Sequence, residues 1–329
     1  MSPKTFELKL PSGITLPDEP PLQIAAEIFL PESIGDKPVA LICLAGGGMN
    51  RRYFDLQADD DSFSFAAQMT RRGFIVIALD HLGIGQSSRP ADGYALTPAL
   101  VAQANANASA EILVRLREGR LAAGLAALPD LVSIGVGHSM GAMLTVLQQA
   151  REGQHAGLTL LGFSTRGLPK FLAADVQNLA SDPEQLRAGL VDAARRMFVQ
   201  PYPVIRSSGG DSTLFGSTAA DPRGIAALKQ AADVLLPVPA FQAILPGNVA
   251  REAAQIRAPV FLGIGERDMV GPPASVPAAF AASASVRLEV LPETGHSHFL
   301  FPARHALFDG IADWARSAVL SSSAATPNI

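Results

Sequence analysis

The stretch GVGHSMGAM, residues 135–143, holds one serine in the spacing Gly137-His138-Ser139-Met140-Gly141. A serine hydroxyl is a weak nucleophile at neutral pH. It needs a base, an acid that orients the base, and N–H donors for the oxyanion its attack creates. A Gly-x-Ser-x-Gly spacing is a weak signal alone and gains weight from a strand before it, a helix after it and those partners elsewhere. The run LVSIGVG (131–137) reads as a strand and residues 140–151 as a helix, so Ser139 falls in a sharp turn. Gly137 and Gly141 let strand and helix approach closely, and the helix start presents the Met140 N–H. Candidate bases are His296 and His298 in PETGHSHF; candidate acids are Glu266 and Asp268 in GERDMVGP. LAGGGMNRRYF carries Gly46, Gly47 and Gly48 in a row, which frees backbone N–H groups to turn inward. Gly47, then Gly48, are the expected oxyanion donors beside Met140. A phosphate loop would end in Lys-Ser/Thr, and Met49-Asn50 does not supply it.

These residues need a scaffold. Short apolar runs at 5–10, 23–30, 38–45, 74–80, 131–137, 157–163, 259–265 and 286–292 read as strands. The first two alternate and carry charge, as edge strands do; the central ones are continuously apolar, as strands covered on both faces are. Helical spacing at 62–71, 98–117, 140–151 and 304–319 alternates with them, which predicts an α/β protein with a mostly parallel sheet. The alternation stops over 164–258, a proline-rich interval with helix-like pieces (PEQLRAGLVDAARRMF) and a Gly-Ser patch at 207–210. It is expected to be an inserted, mainly helical cap. The core is then 1–163 plus 259–318, with 319–329 a flexible tail.

Together, AGGGM, DHLGIGQSS (80–88), GHSMG, GERD and TGH resemble the serine α/β-hydrolase family, in the family's order of serine, acid, histidine. The resemblance spans about 38–163 and 259–318. It implies the α/β-hydrolase fold: a central sheet of about eight strands, helices on both faces, and a cap over the carboxyl edge. It also implies Ser139 as nucleophile, His296 rather than His298 as base, and Asp268 rather than Glu266 as the acid. Two positions depart: Ala45 stands where a histidine usually precedes the oxyanion glycines, and Ala142 where many members have glycine. His138 and Tyr53 are the candidate substrate-contacting residues. His138 is read as packing rather than reacting, and Tyr53 either lines the pocket or belongs to a solvated Arg51-Arg52-Tyr53 surface. Asp80 is expected to cap backbone N–H groups.

The chain has 329 residues, 48% of them hydrophobic and 17% charged, with a net charge of −4. This is a globular composition, and the lack of a basic surplus argues against nucleic acid. The lone Cys43 lies in an apolar run and excludes an internal disulfide. Residues 131–150 lack charge for a membrane-span length, but glycines, serines and a Gln pair favour strand, turn and buried helix over a span. No basic-headed apolar leader opens the chain, so the expected compartment is the cytoplasm. No cofactor is implied, and no Cys/His spacing suggests a metal. The expected reaction is hydrolysis of a carboxylic ester or lactone of small-to-medium hydrophobic character, through an acyl-enzyme. Carbon–carbon hydrolysis or acyl transfer by the same residues, and a non-catalytic ligand-binding protein of this fold, are the alternatives.

Overall fold

The computed structural model describes residues 4–172, 176, 187–204 and 219–324. Eight strands form one sheet: β1 (Lys4–Pro11), β2 (Gln23–Leu30), β3 (Val39–Leu44), β4 (Ile75–Leu79), β5 (Val132–His138), β6 (Gly157–Leu161), β7 (Val260–Gly265) and β8 (Val286–Leu291). Their spatial order is β1-β2-β4-β3-β5-β6-β7-β8. β1/β2 and β2/β4 are antiparallel, and all pairs from β4 to β8 are parallel. Every residue of β3, β4, β6 and β7 is buried, as the continuous apolar runs require of strands covered on both faces. β2 is not an edge strand. It lies between β1 and β4, and its Glu27 leans to Arg51 at 3.4 Å.

Helices cover both faces: α1 (Phe65–Arg71), α2 (Pro98–Arg117), α3 (Met140–Glu152) and α8 (Arg304–Ala324), with α4 (Leu190–Met197), α5 (Pro222–Ala231), α6 (Pro237–Ile244) and α7 (Ala250–Ala253) between β6 and β7. Local chemistry sets their starts. The Ser64 hydroxyl accepts from the Ala67 N–H at 2.9 Å, so α1 begins after the expected residue 62. Thr97 caps α2, with Pro98 in the first turn. One core packs α2, α3, α6 and α7 residues under the sheet; the other packs α1, α5 and α8 over it. The interval 164–258 does not dock as one block. α4 and α6 cluster with Tyr94 and Leu172, whereas Ala227, Leu228 and Ala231 of α5 join the α1–α8 core. The Gly-Ser patch at 207–210 and residues 183–186 of the expected cap helix lie outside the described residues. The tail expected from 319 continues as helix to Ala324, and 325–329 lie outside the described residues. Among the described residues no helix is long and apolar enough to cross a membrane.

His81, His138 and His155 are among the buried histidines of this scaffold. Burial lowers each below the usual imidazole range, His155 to about 3. His155 Nε2 is met by the Gln148 amide N–H at 3.2 Å, and Nδ1 lies 2.9 Å from the Ser133 hydroxyl. The unfolded chain binds a proton at each histidine below about pH 6.5, while the folded chain resists it. Stability is therefore full above about pH 6.5 and falls as pH drops toward 3. His155 alone gives a loss on the order of 2–3 kcal/mol at about pH 4.5. Urea midpoints at neutral pH and at about pH 4.5 check this. The midpoint is expected to fall at acid pH; an unchanged one contradicts the burial of neutral histidines.

Candidate active site

The sheet topology assembles the site. β5 is central, paired to β3 on one side and β6 on the other, and Ser139 follows directly on its last residue. The loop after β3 carries Gly46–Gly48, the loop after β7 carries Asp268, and the loop after β8 carries His296. All four strands are parallel, so all four loops emerge at one edge, where open α/β sheets place ligands.

Ser139 has φ 55° and ψ −120°, a left-handed conformation that costs a β-substituted residue roughly 1–3 kcal/mol. Its neighbours show why glycine flanks it. A Cβ on Gly137 would sit 2.4 Å from the Ala142 Cα, and one on Gly141 would sit 2.1 Å from the Leu44 carbonyl oxygen. Ala142, the departure from the family pattern, is fully buried against this turn. The Ser139 N–H donates to the Leu161 carbonyl at 2.8 Å, tying the turn to β6.

His296 Nε2 lies 2.8 Å from the Ser139 hydroxyl, and its Nδ1 lies 2.8 Å from Asp268 Oδ1. The carboxylate is an acceptor, so Nδ1 carries the proton and Nε2 is left to accept from the serine. Burial pushes the Asp268 carboxyl up, but the charge His296 carries when protonated and the N–H donors of His296 and His298 outweigh it and hold the group well below the usual carboxylate range. Gly162 makes room for the pair: a Cβ there would meet His296 Nδ1 at 3.0 Å and Asp268 Oδ2 at 3.2 Å. Glu266, the other acid, turns away and accepts from the Glu293 N–H at 3.0 Å on the exposed side. His298 does not reach Ser139; its Nε2 meets Asp268 Oδ2 at 3.1 Å.

The glycine turn stands over the serine. The Met49 N–H bonds the Gly46 carbonyl at 3.3 Å, and a Cβ on Gly46 would lie 3.1 Å from the Ser139 Cβ. Gly47 faces Met140, whose side chain lies 3.7 Å from the Cβ position. Gly48, at φ 74°, is turned toward Asp233, whose N–H bonds its carbonyl at 2.8 Å. Met140 is the first residue of α3, and its N–H has no partner within the helix. A support missed in the sequence lies beneath: His81 Nε2 meets the Ala45 carbonyl at 3.0 Å, while the Asn105 amide N–H donates to His81 Nδ1 at 2.9 Å. This pins the backbone just ahead of the glycines.

Neither candidate substrate-contacting residue lies on the cavity. Tyr53 is fully buried, stacked 4.5 Å from the His138 ring and 5.0 Å from Phe299. His138 is also buried, and its Nε2–H donates to the His296 carbonyl at 2.9 Å. Both support the His296 loop from behind, because the short 3-10 helix Arg51–Phe54 turns Tyr53 into the α1–α8 core. Arg51 is not solvated either. It is 4% exposed and paired to Asp80 at 2.5 Å. Asp80 caps as expected, accepting the Arg51 and Gln86 N–H groups at 2.8 and 2.9 Å.

The cavity at Ser139 and His296 is small, about 40 Å³. Met143, Phe163, Leu168, Ile244 and Val270 give it apolar walls, with Asn248 at its margin. No local pattern marks these residues, since only the fold brings their four separate segments together. Among the described residues no group of three or more His, Cys, Asp or Glu is placed to hold a metal ion.

Residues 41–306 match the alpha/beta hydrolase family, and the chain belongs to that family. No curated protein matches the sequence. Among solved structures, the chain is similar to a highly thermostable carboxyl esterase from Bacillus coagulans, with a TM-score of 0.64 at 17% identity, covering 96% of this chain and 99% of that one. It is also similar to the enol-lactonase of Burkholderia xenovorans LB400, with a TM-score of 0.57 at 16% identity, covering 90% and 97%. A proline iminopeptidase of Mycobacterium smegmatis gives a TM-score of 0.58 at 18% identity, covering 96% and 100%. At these identities the likeness is one of fold.

Proposed function

We propose that the protein is a serine hydrolase of small, neutral, apolar carboxylic esters or lactones, with Ser139, His296 and Asp268 as its triad. The observation that carries this is the pair of 2.8 Å contacts that links Ser139 to His296 and His296 to Asp268 at a strained turn. Ser139 Oγ attacks the carbonyl carbon as its proton passes to His296 Nε2. Asp268 stabilises the imidazolium, and the Gly47 and Met140 N–H groups hold the oxyanion, with Gly48 as the fallback donor. Collapse expels the alcohol, which takes the proton from His296. Water, deprotonated by His296, then frees the acid from Ser139. The interval 164–258 acts as the cap in this reading, because Leu168, Ala243, Ile244 and Asn248 come from it to the cavity. An intact triad disfavours a purely ligand-binding role.

The cavity's size and its lining free of Asp, Glu, Lys and Arg support a short, uncharged acyl group. The test is a series of p-nitrophenyl esters. Acetyl and butyryl esters are expected to exceed octanoyl and longer esters in kcat/KM by about tenfold or more. A rise in kcat/KM with chain length would contradict a small acyl site, and no turnover of any ester would shift the reading to a carbon–carbon bond or acyl transfer.

A further inference from the structure

We propose that His298 is a positioning residue that acts through Asp268 to hold His296 in line with Ser139. This rests on the triad reading above. The Asp268 side chain is wholly buried, and a buried carboxylate is stable only when both oxygens find donors. Oδ1 receives the His296 Nδ1–H at 2.8 Å and the Val270 N–H at 3.2 Å. Oδ2 receives the His298 ring at 3.1 Å. With donors on one oxygen only, the carboxyl plane could rotate about its bond to Cβ. With His298 on the other oxygen the plane is pinned, and Oδ1 stays aimed at His296.

His298 is suited to this and not to proton transfer. It is fully buried in the 3-10 turn His298–Leu300, with its ring edge-on to His138 at 5.9 Å and 87°. Its Nδ1 is buried and, among the described residues, meets no hydrogen-bond partner. The single ring proton therefore sits on Nε2, facing the carboxylate, and an imidazolium would drive a second N–H into a space with no acceptor. His298 thus gives Asp268 a hydrogen bond without a competing positive charge. Asp268, with His138 and Tyr53 packed behind His296, completes a cradle in which only His296 faces the serine.

The experiment combines nitrogen-15 NMR of the histidine rings with ester kinetics, on wild type, His298→Phe and His298→Gln. Phenylalanine keeps the shape without the donor; glutamine restores an N–H at similar reach. In wild type His298 is expected as the Nε2–H tautomer, and the Nδ1–H tautomer would overturn the proposal without any variant. In His298→Phe the low-field His296 Nδ1 proton is expected to broaden or shift, with kcat down about tenfold or more and KM within about threefold. His298→Gln is expected to recover much of both. A Phe variant with the wild-type resonance and kcat, or a Gln variant as impaired as Phe, would overturn the proposal. Absence of ester turnover in wild type would count against the triad's proposed reaction, while the NMR result would still decide the role of His298.

Discussion

Alanine in place of Ser139 is expected to lower ester turnover by about 10⁴–10⁶-fold while the protein stays folded. Among the described residues Ser139 is the hydroxyl that meets His296, at 2.8 Å, and the turn that carries it forms from glycine packing and the bond of its own N–H to Leu161. Alanine bears the same strained φ of 55° as serine does, so the elbow persists and only the nucleophile is lost. Side-by-side rates on the preferred p-nitrophenyl ester, with circular dichroism on both proteins, check this. Retention of a tenth of the activity or more would move the nucleophile elsewhere.

Asp268→Asn is expected to cost roughly 10³–10⁴-fold in kcat with little change in KM, by analogy with the aspartate of other triads. In this site the amide has no good orientation. If its oxygen accepts from His296 Nδ1–H, its NH₂ meets the His298 Nε2–H, donor against donor. If it flips, the NH₂ faces His296 Nδ1 and drives the proton to Nε2, where it blocks acceptance from Ser139. Either arrangement misaligns the base without touching the cavity walls, hence the separation of kcat from KM. A loss below tenfold would show that another group orients His296.

The features legible in the sequence are those that local physics dictates. The Gly137–Gly141 spacing reports an approach so close that a Cβ at either position would lie 2.4 Å or less from a neighbouring backbone atom, so the turn can be read in five letters. The runs of β3, β4, β6 and β7 are apolar throughout because both faces are covered, and the strands lie within a residue or two of where those runs place them. His296 and Asp268 were different. Each is 28 residues from the other and more than a hundred from Ser139, and only the order of motifs in a family, not any local pattern, separated them from His298 and Glu266.

The misreadings share a cause. Polar and charged residues are usually exposed, so the sequence suggests a pocket or a solvated surface for Tyr53, a solvated surface for Arg51 and an edge for β2. Here Glu27 on β2, Arg51 in the turn after β3 and Asp80 after β4 find one another, and the pairing lets Arg51 and Asp80 be buried. Such compensation is a property of the folded chain and leaves no trace in any one stretch. The interval 164–258 is similar: α4 has an amphipathic pattern visible in sequence, but its docking on Tyr94, where the Arg195 guanidinium lies 4.1 Å from the ring, is not.

The central claim is that Ser139 forms a covalent bond with the substrate's acyl carbon. The most direct measurement is intact-mass and peptide mapping after reaction with a small alkyl fluorophosphonate, which phosphonylates an activated serine whatever ester it prefers. One adduct per chain, mapped to Ser139, absent in Ser139→Ala and strongly slowed in Asp268→Asn, is the expected result. An unmodified Ser139 in a protein that still hydrolyses esters, or an adduct at another residue, would contradict it.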